Sequence, residues 1–269
     1  MNTTRTFWVG GTDVAKYYKT ANFNCATIKI DSFDAYKDMF YLLMVGSGVG
    51  FRVLKEDVSQ LPSIRTDMTI LHEHYKAVPK HTRKEYTALD FTGDVATITI
   101  GDSKEAWCQS LDFFLQLQWA KEYRKINNII INYNNIRPHG ERLKTFGGTA
   151  SGHESMYNMM QKFEKIIGNS NGHLKPIEAM DLANIIAENV VVGGVRRSAQ
   201  ICMIDADDEE IINAKTNLYK QVDGEWIVDQ NITHRQMSNN SIYYFKKPTR
   251  EKIHWQMERM RYNGEPKTA

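Results

Sequence analysis

The chain has 269 residues, with 34 Lys and Arg against 32 Asp and Glu, and a formal net charge of +2. This balance argues against a nucleic acid partner and gives no reason to expect a membrane partner. Hydrophobic residues make up 42% and charged residues 25%, which excludes a disordered chain. No apolar stretch is long enough for a bilayer, no secretory signal is recognisable, and the three cysteines are scattered. We therefore expect a cytoplasmic protein in a reducing compartment.

The first third of the chain predicts strands that alternate with helices. Residues 23–30 are typical of a strand that carries Cys25 in its middle, and apolar residues then recur at helical spacing from Phe33 to Leu43. A glycine-rich turn follows at residues 46–50 and leads into a short strand. The polar segment 55–83 predicts a loop-rich excursion.

The middle and the end of the chain continue this alternation. Strands are predicted at residues 95–100, 126–133 and 199–204, and helices at 153–167 and 176–190. Asp102 with Glu105 forms a capping-box pattern before a further helix, Asp223-Gly224 indicates a hairpin between residues 219–222 and 225–228, and Thr249 caps a last helix. The pattern predicts an α/β fold, and the absence of a linker favours a single domain.

Three glycine-rich segments are candidates for binding chemistry, because glycine lets backbone N–H groups converge on an anion. Residues 46–50 follow a predicted helix and so do not fit a dinucleotide fingerprint; the alternative is a plain turn. Residues 137–152 include Arg142 and Lys144, which suit a phosphate as well as a solvated loop. Residues 193–197 indicate either an anion site or a helix cap followed by surface arginines.

The cysteines and histidines give weaker signals. Taken alone, Cys25 favours a buried small hydrophobe, and Cys108 and Cys202 fall on apolar patterns that predict packing. No Cys-x-x-Cys pair indicates zinc, and His72-Glu73-His74 lacks a third ligand nearby, so we expect no metal site.

Eight segments occur in the order and spacing of one known family. The first four are Thr-Phe-Trp-Val-Gly-Gly-Thr at 6–12, Asn-Cys-Ala at 24–26, Gly-Ser-Gly-Val-Gly-Phe at 46–51 and Asp-Ser-Lys-Glu at 102–105. The others are the loop 137–152, Gly-Gly-Val-Arg-Arg-Ser-Ala at 193–199, Ser-Asn-Asn-Ser at 238–241 and Asn-Gly-Glu-Pro at 263–266. The chain resembles the adenosylcobalamin-dependent (class II) ribonucleotide reductases, above all their ribonucleoside-triphosphate reductase branch.

The resemblance implies a ten-stranded α/β barrel made of two five-stranded halves. Residues 1–266 correspond to its first half with the nucleotide-specificity loops, and residues 267–269 are expected to be a non-homologous tail. Cys25 matches one of the two cysteines that reduce the substrate and become a disulfide, which replaces the reading of Cys25 as a buried hydrophobe. An external dithiol then reduces that disulfide.

The resemblance also implies binding residues. Substrate-binding positions are Thr6, Asn24, Gly48, Val49 and Gly50, the last three through their backbone. Positions that bind the deoxynucleotide effector or set specificity are Asp31, Ser32, Arg142, Lys144, Gly193, Gly194, Arg196 and Arg197.

Several family features do not occur in this sequence. The radical cysteine in its Asn-Pro-Cys-Gly-Glu type motif, the second reducing cysteine and the C-terminal cysteine pair are missing. We therefore expect a reductase segment that a complementary C-terminal half completes. Its further partners are a ribonucleoside triphosphate, a deoxynucleotide effector, a thioredoxin-like dithiol and adenosylcobalamin, which the complete enzyme binds. The alternatives are a non-catalytic nucleotide-binding module and an inactive fragment.

Overall fold

The computed structural model describes Phe7 and residues 10–142, 149–192 and 200–268. Its α-helices are α1 Asp13–Tyr17, α2 Asp34–Met44, α3 Lys55–Val58, α4 Lys104–Trp119, α5 Glu154–Asn169, α6 Pro176–Val192, α7 Glu209–Ile212 and α8 Arg250–Asn263. Its strands are β1 Cys25–Lys29, β2 Gly48–Arg52, β3 Thr69–His72, β4 Ala88–Thr92, β5 Val95–Thr99, β6 Asn128–Asn132, β7 Gln200–Asp205, β8 Tyr219–Val222, β9 Glu225–Val228, β10 Ser238–Tyr243 and β11 Lys267–Thr268.

A five-stranded parallel sheet forms the first layer, in the order β1-β2-β7-β10-β11. Side chains alternate across its strands, so that one face is covered and the other is open. Val49, Phe51, Cys202 and Ile204 lie on the covered face and are at most 1% exposed. The α/β fold with parallel strands is confirmed. Its fifth strand, β11, comes from residues 267–268, which were expected to be a non-homologous tail.

Helices α2 and α6 supply the layer on the covered face. Tyr36, Met39 and Phe40 are fully buried on α2 because they recur at helical spacing on one side. The Tyr36 hydroxyl donates to the carbonyl oxygen of Ala179 on α6 at 3.2 Å, and its ring meets Phe163 of α5 edge-on. Helix α6 is buried on nearly every side between residues 179 and 190, since α2, α5 and the sheet surround it.

A second, four-stranded sheet has the order β3-β6-β5-β4, parallel except for the β4–β5 hairpin. Helix α4 packs against β5 and also against α2, so it joins this sheet to the helix layer of the first. Ser103 caps α4, because its Oγ accepts a hydrogen bond from the backbone N–H of Ala106 at 3.0 Å. Buried residues from both sheets form one continuous core.

Several local predictions are confirmed, and others are wrong. Helices α2, α5 and α6, the β8–β9 hairpin and the Thr249 cap were predicted from periodicity and turn chemistry. The segment 46–50 is not a simple turn, because β2 begins at Gly48. Strand β3 lies in the segment predicted as a loop, and the α4 cap is Ser103 rather than Asp102. Among the described residues no helix is long and apolar enough to cross a membrane.

Candidate functional site

The open face of the five-stranded sheet brings together residues from four strands. Cys25 is in register with Gly48, and Thr27 is in register with Gly50, Ile201 and Asn239. Partners in a parallel register project on the same side, so these residues form two adjacent rows on the open face. Ile201 is 49% exposed there. The result is an accessible surface with a thiol at one end and bare glycine backbone beside it.

Cys25 is the exposed thiol among the three cysteines of the chain, all of which lie in the described residues. It stands at the first residue of β1 rather than in the strand's middle, and its exposure excludes a role as a buried small hydrophobe. Cys108 and Cys202 are 5% and 0% exposed, and burial raises the pKa of both thiols. Their prediction as packing residues is confirmed. Since a thiolate is the reactive form of cysteine, exposed Cys25 is the one suited to exchange with a substrate or another dithiol.

The start of β2 supplies backbone and space rather than side chains. The carbonyl oxygen of Asn24 accepts a hydrogen bond from the N–H of Gly48 at 2.8 Å, which ties the two predicted substrate segments together. The side chain of Val49 is buried on the opposite face, so this residue presents only backbone to the open face. A Cβ on Gly50 would lie 3.5 Å from the Thr27 methyl group and 3.9 Å from the Met203 methyl group. Glycine therefore leaves a shallow recess beside the thiol's row.

A charged cluster occupies the carboxyl end of the same face. The Lys29 ammonium lies 2.9 Å from Asp31, and this hydrogen bond raises the pKa of Lys29 despite some desolvation. The Arg52 guanidinium makes two hydrogen bonds of 2.7 Å to Asp57, whose carboxylate is fully buried. Asp31 and Ser32 lie just before Phe33, the residue that precedes α2, so the structure places both predicted effector residues near the N-terminal end of this helix.

A cavity of about 120 Å³ lies at the opposite, C-terminal end of α2. It is separated from Asp31 by about 15 Å along the helix, since each residue rises about 1.5 Å. Carbon atoms supply most of its wall, and its polar side chains come from four segments. The lining residues are Phe40, Met44, Asp102, Ser103, Lys104, Trp107, Ile136, Arg137, Ala150, Ser151, Gly152, Asn189 and Val190.

Two polar side chains of the cavity wall, Arg137 and Asp102, are hydrogen-bonded to each other. The Nε of Arg137 donates to the Asp102 carboxylate at 2.8 Å, and its Nη2 donates to the Asp102 carbonyl oxygen at 3.2 Å. Asp102 also accepts the backbone N–H of Arg137 at 3.2 Å, so this pair fixes the loop start at residue 137 against the start of α4. Asp102, which the sequence predicted to cap a helix, therefore binds Arg137 in the cavity wall instead.

None of the predicted effector residues that the structure describes, Asp31, Ser32 and Arg142, lines this cavity. The predicted loop 137–152 contributes both its ends to the wall, and α6 reaches the cavity just before the segment 193–199. Arg142 is exposed and forms an isolated bridge with Thr149 without lining the cavity. Thr6, Lys144, Gly193, Gly194, Arg196 and Arg197 lie outside the described residues.

Sequence reasoning missed Trp107 and Asn189 as cavity residues. Both belong to predicted helices and carry no motif, and the segments that meet here are far apart in the chain. The Trp–Cys pair at 107–108 was assigned to the core, and Asn189 was distinguished only by its position four residues before Gly193.

The His72-Glu73-His74 segment forms no cluster. His72 hydrogen-bonds to the Tyr133 hydroxyl at 2.7 Å and to the Glu164 carboxylate at 3.1 Å, while the Glu73 carboxylate accepts from Asn132. Within the described ranges, no group of three or more His, Cys, Asp and Glu side chains is placed to hold a metal ion.

A corrin ring needs a broad apolar surface, and the described part of the open face does not offer one. Its first two rows present Cys25, Thr27, Gly48, Gly50, Ile201 and Asn239, of which only Ile201 is a large apolar side chain. These residues suit a small polar ligand beside a thiol and do not by themselves fit a cobalamin. No step is therefore assigned to cobalamin from these residues.

The fold and site define an α/β protein with an exposed thiol on the open face of a parallel sheet. Residues 70–167 match the family model described as the B12-dependent ribonucleotide reductase insertion domain, a range that includes the second sheet from Ile70 to Asn132. In overall fold the chain is similar to a crystal structure of B12-dependent (class II) ribonucleotide reductase, with a TM-score of 0.79 and 24% identity. That similarity covers 97% of this chain and 38% of the other.

Two curated relatives are named adenosylcobalamin-dependent ribonucleoside-triphosphate reductase. The one from Lacticaseibacillus paracasei is 29% identical over 269 residues, which is 88% of this chain and 35% of that protein. The one from Lactobacillus leichmannii is 30% identical over 213 residues, which is 76% of this chain and 27% of that protein. The resemblance to class II ribonucleotide reductases is thus confirmed over a partial segment, since the chain spans about a third of the length of these relatives.

Proposed function

We propose that this chain forms one half of the active site of an adenosylcobalamin-dependent ribonucleoside-triphosphate reductase. The exposure of Cys25 on the open sheet face, beside Gly48 and Gly50, is the observation that supports this function best. The relatives are named for this activity and this cofactor. In this proposal, Thr6 and Asn24 with the backbone of residues 48–50 bind the substrate ribose.

In the proposed reaction Cys25 is one of two reducing thiols. Replacing the 2′ hydroxyl of the ribose by hydrogen requires two electrons and two protons, and the hydroxyl leaves as water. Two thiols supply both and become a disulfide, so atoms and electrons balance. A thioredoxin-like dithiol then restores the thiols by exchange, which needs access to a sulfur atom. The exposed position of Cys25 meets that requirement, whereas buried Cys108 and Cys202 do not.

The remaining parts come from outside this segment in our proposal. A complementary C-terminal half supplies the radical cysteine and the second reducing cysteine, and it covers the open face. Adenosylcobalamin, which the complete enzyme would bind, would supply the radical chemistry. Covering the open face would also bury Ile201, which is otherwise half exposed on the sheet.

A deoxynucleotide effector is the proposed ligand of the cavity described above, which α2, α4 and α6 line together and which is called the α2–α4–α6 cavity. The largely apolar wall suits a base, and the cavity lies at the ends of the loop 137–152 and just before the segment 193–199. Asp31, Ser32, Arg142, Lys144, Gly193, Gly194, Arg196 and Arg197 remain the proposed effector and specificity residues. Asp31 and Ser32 lie at the other end of α2 from this cavity, and Arg142 does not line it.

The test is a reductase assay with a ribonucleoside triphosphate, adenosylcobalamin and a dithiol. The chain is assayed alone and together with the polypeptide that carries the radical-cysteine half. We expect activity only in the mixture, and its loss over multiple turnovers in Cys25→Ser. The buried-thiol variant Cys108→Ala is the matched control and should retain turnover.

The main competing function is a nucleotide-binding module without catalysis, which the cavity supports. An inactive mixture of two folded, associated halves that still binds nucleotide would favour that function over the reductase.

A further inference from the structure

Strand β3 lies at the edge of the second sheet in the described ranges, and one side of its backbone has no partner there. The Thr69 N–H donates to the Asn127 carbonyl oxygen at 3.0 Å, so Thr69 and Leu71 turn their backbone groups toward β6. Ile70 and His72 therefore turn their N–H and carbonyl groups away from the sheet, and no described residue bonds to them. Leu71 between them is 56% exposed. Such an edge is a template for another extended chain.

A polar groove of about 430 Å³ borders this edge, and helix α5 forms its opposite wall. Met68 and Ile70 line the groove from the β3 side, and Gln161, Lys165 and Gly168 line it from α5. An extended segment suits this arrangement, because its backbone can bond to the strand edge while alternate side chains point into the groove. We call it the β3–α5 groove.

Gly168 keeps the β3–α5 groove open. Glycine is less favourable than alanine in a helix, and a Cβ on Gly168 would meet no other atom within 4 Å. The packing of the fold therefore does not require glycine at this position. The missing side chain instead leaves room in the groove near the end of α5.

Lys165 determines the charge that the groove accepts. Its side chain is exposed in the groove wall and forms no ion pair with a described residue. The other charged side chains of the wall are already paired, Arg65 with Asp67 at 2.9 Å and Glu164 with His72 at 3.1 Å. A carboxylate that points into the groove therefore finds an unpaired cation, whereas a basic side chain finds no unpaired carboxylate.

We propose that the β3–α5 groove docks an extended acidic segment of a partner protein, in which acidic residues alternate with β-branched ones. The segment adds a strand to β3 through the backbone groups of Ile70 and His72, and its acidic side chains point toward Lys165. Its remaining side chains lie on the opposite face beside Leu71, where β-branched residues suit a strand. This proposal does not rest on the proposed reductase activity.

The test uses the fluorescent peptide Thr-Val-Glu-Val-Glu-Val-Thr and follows its binding to the full chain by anisotropy. A peptide of the same composition in blocks, Val-Val-Val-Thr-Thr-Glu-Glu, is the control and should bind at least about tenfold more weakly, because it cannot alternate its side chains. Amide hydrogen exchange measured by NMR reports the docking mode. The Ile70 and His72 amides should exchange rapidly in the free chain and at least about tenfold more slowly with saturating peptide.

Variants of α5 locate the peptide in the groove. Gly168→Gln extends a side chain into the groove and should weaken binding at least about tenfold, whereas Asn158→Gln enlarges an exposed residue of the same helix outside the groove and should leave it unchanged. Lys165→Gln should weaken binding about threefold, the effect of one exposed ion pair. Lys165→Glu should reverse the preference, so that it binds the peptide with lysine in place of glutamate more tightly than the acidic one.

Failure of the alternating peptide to bind the wild-type chain, equal binding of the block peptide, or unchanged exchange of the Ile70 and His72 amides would overturn the proposal. Dimerisation that protects these two amides without peptide, detected by sedimentation, would assign the edge to a second copy and would overturn it as well. If Gly168→Gln does not fold, the exchange of the two amides in the wild-type chain still decides.

Discussion

The buried carboxylate of Asp57 provides a quantitative test of the charged cluster on the open face. It makes two 2.7 Å hydrogen bonds with Arg52, accepts the backbone N–H of Leu54 at 3.3 Å, and is fully buried. Asp57→Asn keeps the shape and removes the charge. Two unit charges 4 Å apart attract by about 4 kcal/mol at an effective dielectric constant of 20. The Arg52 side chain is 24% exposed and regains some hydration, so we expect a loss of about 3 kcal/mol in the free energy of unfolding.

The same guanidinium offers a matched control. Glu56 lies 3.3 Å from Arg52 but its side chain is 56% exposed, so Glu56→Gln should cost less than about 1 kcal/mol. For a chain of this size, the Asp57→Asn loss corresponds to a fall of roughly 6–12 °C in melting temperature. Urea unfolding followed by circular dichroism measures both variants. We attribute the larger loss in the free energy of unfolding to the burial of Asp57 and not to charge pairing alone. Equal destabilisation by the two substitutions would refute this explanation.

Three further predictions concern glycine, thiol and carboxylate positions. Gly101→Ala should lower the free energy of unfolding by about 1–3 kcal/mol, measured in urea, because its Cβ would lie 2.5 Å from the Tyr86 backbone. Gly168→Ala in α5 meets open space and should raise the free energy of unfolding by about 0.5–1 kcal/mol. The opposite ranking would contradict this account of the packing. A chromogenic disulfide should modify one thiol rapidly in the folded chain and three in urea, and Cys25→Ser should abolish the fast phase; a fast phase that survives would be incompatible with the site. Burial raises the pKa of Asp181, but the nearby side chains of His234, 3.1 Å away, and Arg235, which donates two hydrogen bonds of 2.7 Å, outweigh burial and lower that pKa. Its contribution is therefore complete above pH 4 and is lost as the pH falls through the lowered folded-state pKa, so acid unfolding of Asp181→Asn should depend less on pH there.

Periodicity was sufficient for the elements whose buried faces follow a regular pattern. Helix α2 was predicted because Tyr36 and Phe40 recur on one side, and the structure buries both. Strand β2 was misread because glycine is a poor strand former and usually marks a turn. It is a strand because β1 and β7 pair with it on both sides, and this tertiary context cannot be read from the five residues themselves.

The candidate site was predictable to different degrees. Local character alone favoured burial for Cys25, and only the family resemblance indicated its exposure and redox role. The exposed position at the start of β1 agrees with that role. The cavity had no local signal, because Phe40, Asp102, Ile136 and Asn189 are separated by up to about 150 residues and meet only through helix packing. Sequence patterns that span one helix or one strand cannot reveal such a meeting point.

Gln200 connects the cavity and the thiol-bearing face, and this gives a last prediction. It begins β7 in register with Val49, and its side-chain amide donates to the Ala183 carbonyl oxygen of α6 at 3.1 Å. Helix α6 also carries Asn189 in the cavity wall, so a shift of this helix would act directly on the strand beside Gly50. Gln200→Leu removes that hydrogen bond and puts an apolar side chain of similar size in its place.

If the proposed function is right, Gln200→Leu should weaken the coupling between effector binding and substrate preference, and it should leave effector binding itself nearly unchanged. Nucleotide affinity of the cavity should change less than about twofold, while the effector-dependent change in substrate preference, measured in the reductase mixture, should fall by at least about fivefold, the coupling expected of one hydrogen bond. Gln221→Leu on the exposed β8–β9 hairpin is the control and should leave both quantities unchanged. A full effector response in Gln200→Leu would show that the contact between β7 and α6 does not carry the coupling. Lost binding would show that Gln200 supports the cavity itself.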